Sequence, residues 1–354
     1  MIIKKEQHRF SGAAMRYLDF RLQIVTGPAD GYTVQALSPR GEGKAYFVSP
    51  FPGNELGALK AALGSRFERH RTSKSAESPD YSPRAVGERL FEALLHGEIL
   101  RLYERSLDLL GSDPEAGLRL QLMLDPRDPD LAVLQTLPWE LLRQPGTPEF
   151  LALNRRRPII RYLAVPRAVY TAPSVQTVRI LTVAANPRPG HLDTLDLTRE
   201  LCNLETAIGS APNLEIVRPQ APTFAALRQA CIEQQCHVLH FMGHGGSVPG
   251  RDERVLFFET DDGSADPVGG TDLVNKLADF PTLRLVVLNA CGSAALPDGM
   301  GADPLTGVAS SLVLGGIPAV VAMQFPISDE AAIAFSRTFY QRFVAGDQVD
   351  AAVA

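Results

Sequence analysis

Two apolar runs of strand length constrain this chain more than any other feature. Residues 237–246 read His-Val-Leu-His-Phe-Met-Gly-His-Gly-Gly, and residues 283–293 read Leu-Arg-Leu-Val-Val-Leu-Asn-Ala-Cys-Gly-Ser. Each run stops at a reactive side chain, His244 or Cys291, that is followed by glycine. In an open parallel sheet, functional side chains collect beyond the carboxyl ends of the strands. If the two strands lie side by side, the imidazole and the thiol come within reach of each other. That is the layout of a cysteine nucleophile with a histidine base.

The rest of the composition suits such a sheet. A chain of 354 residues, 45% apolar and 21% charged, can build two ordinary domains or one elaborated one. A net charge of −5 leaves no basic footprint for nucleic acid or an anionic membrane. Cys202, Cys231, Cys236 and Cys291 show no disulfide-framework spacing, and the first residues hold no apolar signal core, so a reducing, cytoplasmic setting is expected. Residues 304–328 carry no charge over a length that raises a membrane helix. Gly315-Gly316, Pro318 and Pro326 interrupt them, and Thr306, Ser310, Ser311 and Gln324 lie within them. A buried helix, a turn and a buried strand are expected there, and no membrane span.

Taken in order, the chain opens as a meander with strands at 17–25, 32–37 and 44–49, separated by Pro28-Ala-Asp-Gly31 and Pro39-Arg-Gly-Glu-Gly43. Leu18, Phe20, Leu22 and Ile24 share one face of the first strand. Residues 64–84 read as a polar loop. Helical spacing then runs over 85–110, with Gly97 dividing it into two helices. A strand at 118–124, a helix start at Pro138 with Trp139 as a packing anchor, and a strand at 158–163 complete an α+β amino-terminal domain over 1–170. From 171 to 354 strands and helices alternate, with a hairpin inserted around 255–258, which implies an α/β doubly wound, mostly parallel sheet. The chain stops at 349–354 as a further helix begins, so the last elements of that sheet domain are expected to be cut short.

The chemistry follows from the strand ends. A thiol attacks as thiolate and needs a base beside it, a role His244 can take. Gly243, Gly245 and Gly246 would let the chain turn sharply and a substrate backbone approach closely. Backbone N–H groups of Gly245 and Cys291 are the candidates for an oxyanion hole. His237 and His240 alternate inside the apolar run and are expected to be buried and structural. Cys231, Cys236, His237, His240 and His244 lack the paired spacing of a zinc site, so no metal is expected. Val248 breaks a dinucleotide loop, no P-loop follows any strand, and no cofactor is expected.

The two strands resemble those of caspase-fold cysteine peptidases, in which a His-Gly pair and an Ala-Cys pair end adjacent parallel strands. The chain is more closely similar to the CHAT family, caspase-like bacterial peptidases named for association with tetratricopeptide repeats. Residues Leu137-Pro-Trp-Glu-Leu-Leu142, Pro158 to Tyr162, Phe241 to Gly246, Leu288 to Gly292 and Gly316 to Asp329 carry the resemblance. It implies a caspase-like fold and peptide-bond hydrolysis, with Cys291 as nucleophile, His244 as base and acid, and the Gly245 and Cys291 amides as the oxyanion hole. It also implies a protein substrate, regulated cleavage in prokaryotic immunity or programmed death, and an activating sensor. No tetratricopeptide array is present, so that sensor is the amino-terminal half or a partner protein.

The resemblance places the primary pocket at residues 186–196 and 323–329, giving Asn186, Asp193, Gln324, Phe325 and Asp329 as candidates. Asp193 or Asp196 suits a basic side chain, Arg188 an acidic one, and Phe325 a neutral one; Asp193, Asp196 and Asp329 can equally serve helix starts. Residues 292–316 contain no Lys or Arg, so a basic-specific enzyme would process itself at Arg251 or Arg254, whereas Asp298 and Asp303 would serve an acid-specific one. A caspase-fold binding module and a small-amide hydrolase are the other function classes.

Overall fold

After a short first strand, β1 (Ile2–Lys4), the alternating run through Leu18, Phe20, Leu22 and Ile24 forms β2 (Arg16–Thr26), which buries Phe20, Leu22 and Ile24 and leaves Leu18 exposed. The computed structural model describes residues 2–4, 15–28, 31–68, 80–163, 175–188, 195–209, 211–277, 279–290, 307–325 and 327–354. It divides into two compact units, one of Ala13–Tyr162 with Gln348–Ala354, the other of Met1–Gly12 with Leu163–Asp347.

In the first of these units, β2 pairs antiparallel with β3 (Tyr32–Ser38), and β3 with β4 (Gly41–Phe47), as the turn residues predict. Next comes α1 (Gly53–Glu68), which buries Leu59 and Leu63. The loop expected from residue 64 therefore begins no earlier than residue 69, and residues 69–79 lie outside those described. Gly53, Gly57 and Gly64 and a weakly segregated apolar face hid this helix from a periodicity reading. The two expected helices form as α2 (Pro83–Leu94) and α3 (Gly97–Asp108). The Ser82 hydroxyl caps α2 by accepting the Ala85 N–H at 3.3 Å, and Gly97 enters α3 at a φ of 55° that disfavours side chains.

The parallel strand β5 (Ala116–Met123) lies beside β2, and after the short helix α4 (Ala132–Gln135) the chain reaches β6 (Ile159–Tyr162), parallel to β5. Between them, Trp139–Leu141 make a single 3₁₀ turn rather than the helix expected from Pro138. Leu137, Trp139 and Leu142 are all buried there, and the Trp139 indole donates to the Leu134 carbonyl at 2.7 Å, so tertiary packing takes the place of a propagating helix. Glu140 of the same turn pairs with Arg161 of β6 at 2.7 Å, and Arg161 also donates to the Gln135 and Leu137 carbonyls. Burial alone would raise the Glu140 pKa, but the Arg161 charge and hydrogen bond bring it down to about 2.

The second unit holds the long apolar runs. Its sheet has the order β1-β14-β13-β9-β7-β8, made of β7 (Val178–Ala184), β8 (Leu214–Val217), β9 (Val238–Met242), β13 (Leu285–Asn289) and β14 (Ala319–Ala322) with β1. All neighbours are parallel except β1 against β14. Strands buried on both faces read as near-continuous apolar runs, and positions 238–242 and 285–289 read so apart from His240 and Asn289. One face packs Leu239, Phe241, Val286 and Leu288 against α6 (Phe224–Gln234), α7 (Gly270–Leu277) and α8 (Val308–Leu314). The other parity faces α5 (Leu197–Ile208) and α9 (Asp329–Val344). A separate three-stranded sheet, β10 (Gly245–Ser247), β11 (Arg254–Glu259) and β12 (Ala265–Gly269), enlarges the expected hairpin by one strand. No helix among the described residues is long and apolar enough to cross a membrane.

The last helix, α10 (Val349–Val353), belongs to the first unit. Its Asp350, fully buried, pairs with buried Arg119 of β5 at 2.5 Å. Arg119 donates to Gln348 Oε1 at 2.8 Å and lies 3.4 Å from Asp19, while the Gln348 amide donates to the Met15 carbonyl at 2.9 Å.

Candidate active site

The two apolar runs are adjacent parallel strands, β13 pairing β9 with Leu285 opposite Val238 and Asn289 opposite Met242. One bond continues the ladder, from the Gly243 N–H to the Asn289 carbonyl at 3.3 Å. His244 follows at once, half-buried at the junction between β9 and β10. Its own carbonyl accepts the Phe257 N–H of β11 at 3.0 Å, so it is held from both sides. Cys291 and Asp193 lie outside the described residues.

The glycines around His244 answer to space rather than to backbone angle. The chain bends at Gly243, but none of Gly243, Gly245 or Gly246 has a positive φ, so the bend does not call on a left-handed residue. A Cβ at Gly243 would sit 2.9 Å from the Ala185 carbonyl and 3.0 Å from the Phe241 ring, and one at Gly246 would sit 3.1 Å from Phe257. The bond from Phe257 to His244 also makes Gly245 and Leu256 a non-hydrogen-bonded pair of the antiparallel ladder. The Gly245 N–H therefore points away from β11.

Beneath these strand ends lies a buried polar cluster that sequence reasoning missed. The Glu200 carboxylate of α5, 6% exposed, accepts from the Asn289 amide and from the Ser336 hydroxyl of α9 at 3.1 Å. His240 Nε2 stands 3.6 Å from the same oxygen, and His240 Nδ1 shares a 2.8 Å hydrogen bond with the Tyr340 hydroxyl. Burial, with the Glu200 charge adding to it, raises the Tyr340 pKa well above the ordinary range, so the phenol stays protonated. An isolated buried carboxylate is costly, and these donors are what make it tolerable. Only Asn289, two residues before the cysteine, offered a signal; Glu200 sits in an amphipathic helix among charged residues expected to face water.

A cleft of about 380 Å³, counting its open side, is lined by Leu195, Asp196, Glu200, Gly243, Asn289, Ile327, Asp329, Ala332 and Ile333. Of the expected pocket residues, Asp329 lines it. Asn186 follows β7 and gives its backbone N–H to Glu259 at 2.7 Å, away from the lining, while half-buried Gln324 and Phe325 follow β14 without lining it. Asp196 and Asp329 serve helices as well: the Asp196 carboxylate accepts the Arg199 N–H at 3.1 Å, and Asp329 lies in the first turn of α9.

The other cysteines and histidines have structural surroundings. His237, 5% exposed, accepts the Arg179 backbone N–H on Nδ1 at 3.0 Å, and burial followed by Arg284 and Arg179 lowers its pKa to about 4. Cys231 and Cys236 are buried beside each other, and the hydrogen bond between them, helped by burial, pushes the Cys231 thiol upward, away from thiolate reactivity. No group of three or more His, Cys, Asp or Glu among the described residues could hold a metal ion.

This chain belongs to the CHAT domain family, which matches residues 84–354. The match thus begins within α2. The family is caspase-like and related to cysteine peptidases, and the mixed α/β fold with its parallel strands agrees with that. No curated protein matches the chain. Among solved structures, a chain of a MamK double helical filament aligns at 15% identity over 92% of this chain and 98% of that one, with a TM-score of 0.14, too low to show a shared fold.

Proposed function

We propose that the chain is a regulated cysteine endopeptidase with a caspase-like, doubly wound core. The observation that carries this reading is the register of β9 against β13. His244 and Cys291 each follow, by two residues, a member of the same facing pair, Met242 and Asn289. In the proposed reaction His244 takes the Cys291 proton and the thiolate attacks the scissile carbonyl. The Gly245 N–H, turned away from β11, and the Cys291 N–H receive the oxyanion. His244 then protonates the leaving amine, and water releases the acyl group.

The substrate is a protein, and its primary side chain enters beside Asp329, with Asn186, Asp193, Gln324 and Phe325 as the further pocket residues. The amino-terminal half or a partner protein acts as sensor, and the setting is a bacterial cytoplasm, in defence or regulated cell death. The test is cleavage of an unstructured peptide library by wild type and Cys291→Ala, read by mass spectrometry. Cuts present in wild type and lost in the variant are expected. A wild type that neither cuts nor reacts at Cys291 with an alkylating peptide overturns the reading in favour of a binding module.

A further inference from the structure

Asn289 is gripped at both ends of its residue. Its carbonyl accepts the Gly243 N–H, one residue before His244, and its side chain donates to Glu200. Asn289 is 6% exposed, and its amide also stands 3.3 Å from the Ser336 hydroxyl. Glu200 in turn faces His240, four residues before His244 on the neighbouring strand. One carboxylate thus ties the last residue of β13 to the interior of β9, and does so on the floor of the cleft.

We propose that Asn289 and Glu200 form a positioning pair that sets the spacing between the two strand ends and so between His244 and Cys291. The inference rests on the peptidase reading and assigns the pair no contact with substrate. A strand end is where a ladder frays, since the pairing stops there. The Asn289 side chain supplies an anchor at that point that the backbone lacks. Its partner must be a buried acceptor fixed from another element, and Glu200, held by Ser336 of α9, is one. Because the pair acts through geometry, the acceptor atom matters more than its charge.

The test follows alkylation of Cys291 by iodoacetamide against pH, with peptide mapping to separate it from Cys202, Cys231 and Cys236. In wild type the inflection should fall below the ordinary thiol value of about 8.5, because His244 stabilises the thiolate. Glu200→Ala and Asn289→Ala should slow the reaction at neutral pH by about tenfold and return the inflection toward that ordinary value. Glu200→Gln, which keeps an oxygen for Asn289, should stay within about threefold of wild type.

Asn289→Asp guards against simple unfolding of the alanine variants, since it keeps shape while setting two carboxylates face to face. Its deficit relative to wild type should close as pH falls toward about 5, where one shared proton restores the bond. Folded Glu200→Ala or Asn289→Asp with the wild-type profile overturns the positioning pair alone. A wild-type inflection at the ordinary value overturns the peptidase reading and the pair with it.

Discussion

Asp350 and Glu200 are both buried carboxylates, and they keep different company. Asp350 is paired with the guanidinium of Arg119, itself 1% exposed along its side chain, in a region with Gln348 and Tyr17 closed around it. Glu200 is held by the Asn289 amide and the Ser336 hydroxyl, faces the His240 ring, and lines an open cleft. A sealed ion pair compensates charge with charge and has nothing left to offer. The other carboxylate is held by an amide and a hydroxyl at the edge of the cleft, where β9 and β13 end. The contrast separates a polar cluster that closes a structure from one that holds a site in shape.

The largest expected effect lies with the ion pair. Asp350→Ala leaves a buried guanidinium without its nearest carboxylate and should cost about 3–5 kcal/mol in urea unfolding. Arg119→Met combined with Asp350→Leu should recover most of that loss, and failure to recover would mean that Arg119 does more than meet Asp350.

Acid should divide the two regions next. His237, neutral at a folded pKa of about 4 against an ordinary 6.5, is outcompeted for protons by the unfolded chain between those values. Its stabilising effect is full above pH 6.5 and is lost as pH falls toward 4. Glu140, at about 2 against 4.5, has its effect in full above pH 4.5 and loses it toward pH 2. Urea midpoints against pH should therefore lose their dependence between 6.5 and 4 in His237→Gln, and below 4.5 in Glu140→Gln. Either variant flattening the other's window would dissolve the distinction. The smallest effect is Ser336→Ala, at about 1 kcal/mol in the same assay, since Glu200 keeps the Asn289 bond.

Much of this was legible in the chain. The runs at 238–242 and 285–289 announce doubly buried strands because apolar residues continue through both parities, and Gly97 divides α2 from α3 as its φ demands. The helix α1 was not legible, because three glycines dilute its apolar face. The glycines beside His244 stood out, but their cause did not. Packing against Ala185 and Phe257 is a long-range property that no local spacing encodes. Glu200 was invisible for the same reason, since its partner Asn289 lies 89 positions away and only the fold brings them together. The candidate pocket divides similarly: Asp329 lines the cleft, while Asn186, Gln324 and Phe325 stand outside its lining.

The tie from Arg119 to the segment beginning at Gln348 spans 229 positions of sequence. At a synthesis rate of about 5–20 residues per second, a ribosome takes roughly 10–50 s to cover that distance. Through that interval β5 exists with its guanidinium still lacking Asp350, and the strand's outer face waits on chain that has not been made. A region begun with β2 is thus completed only after Gln348 is made, and its exposure in the meantime is a matter of clock time rather than of stability.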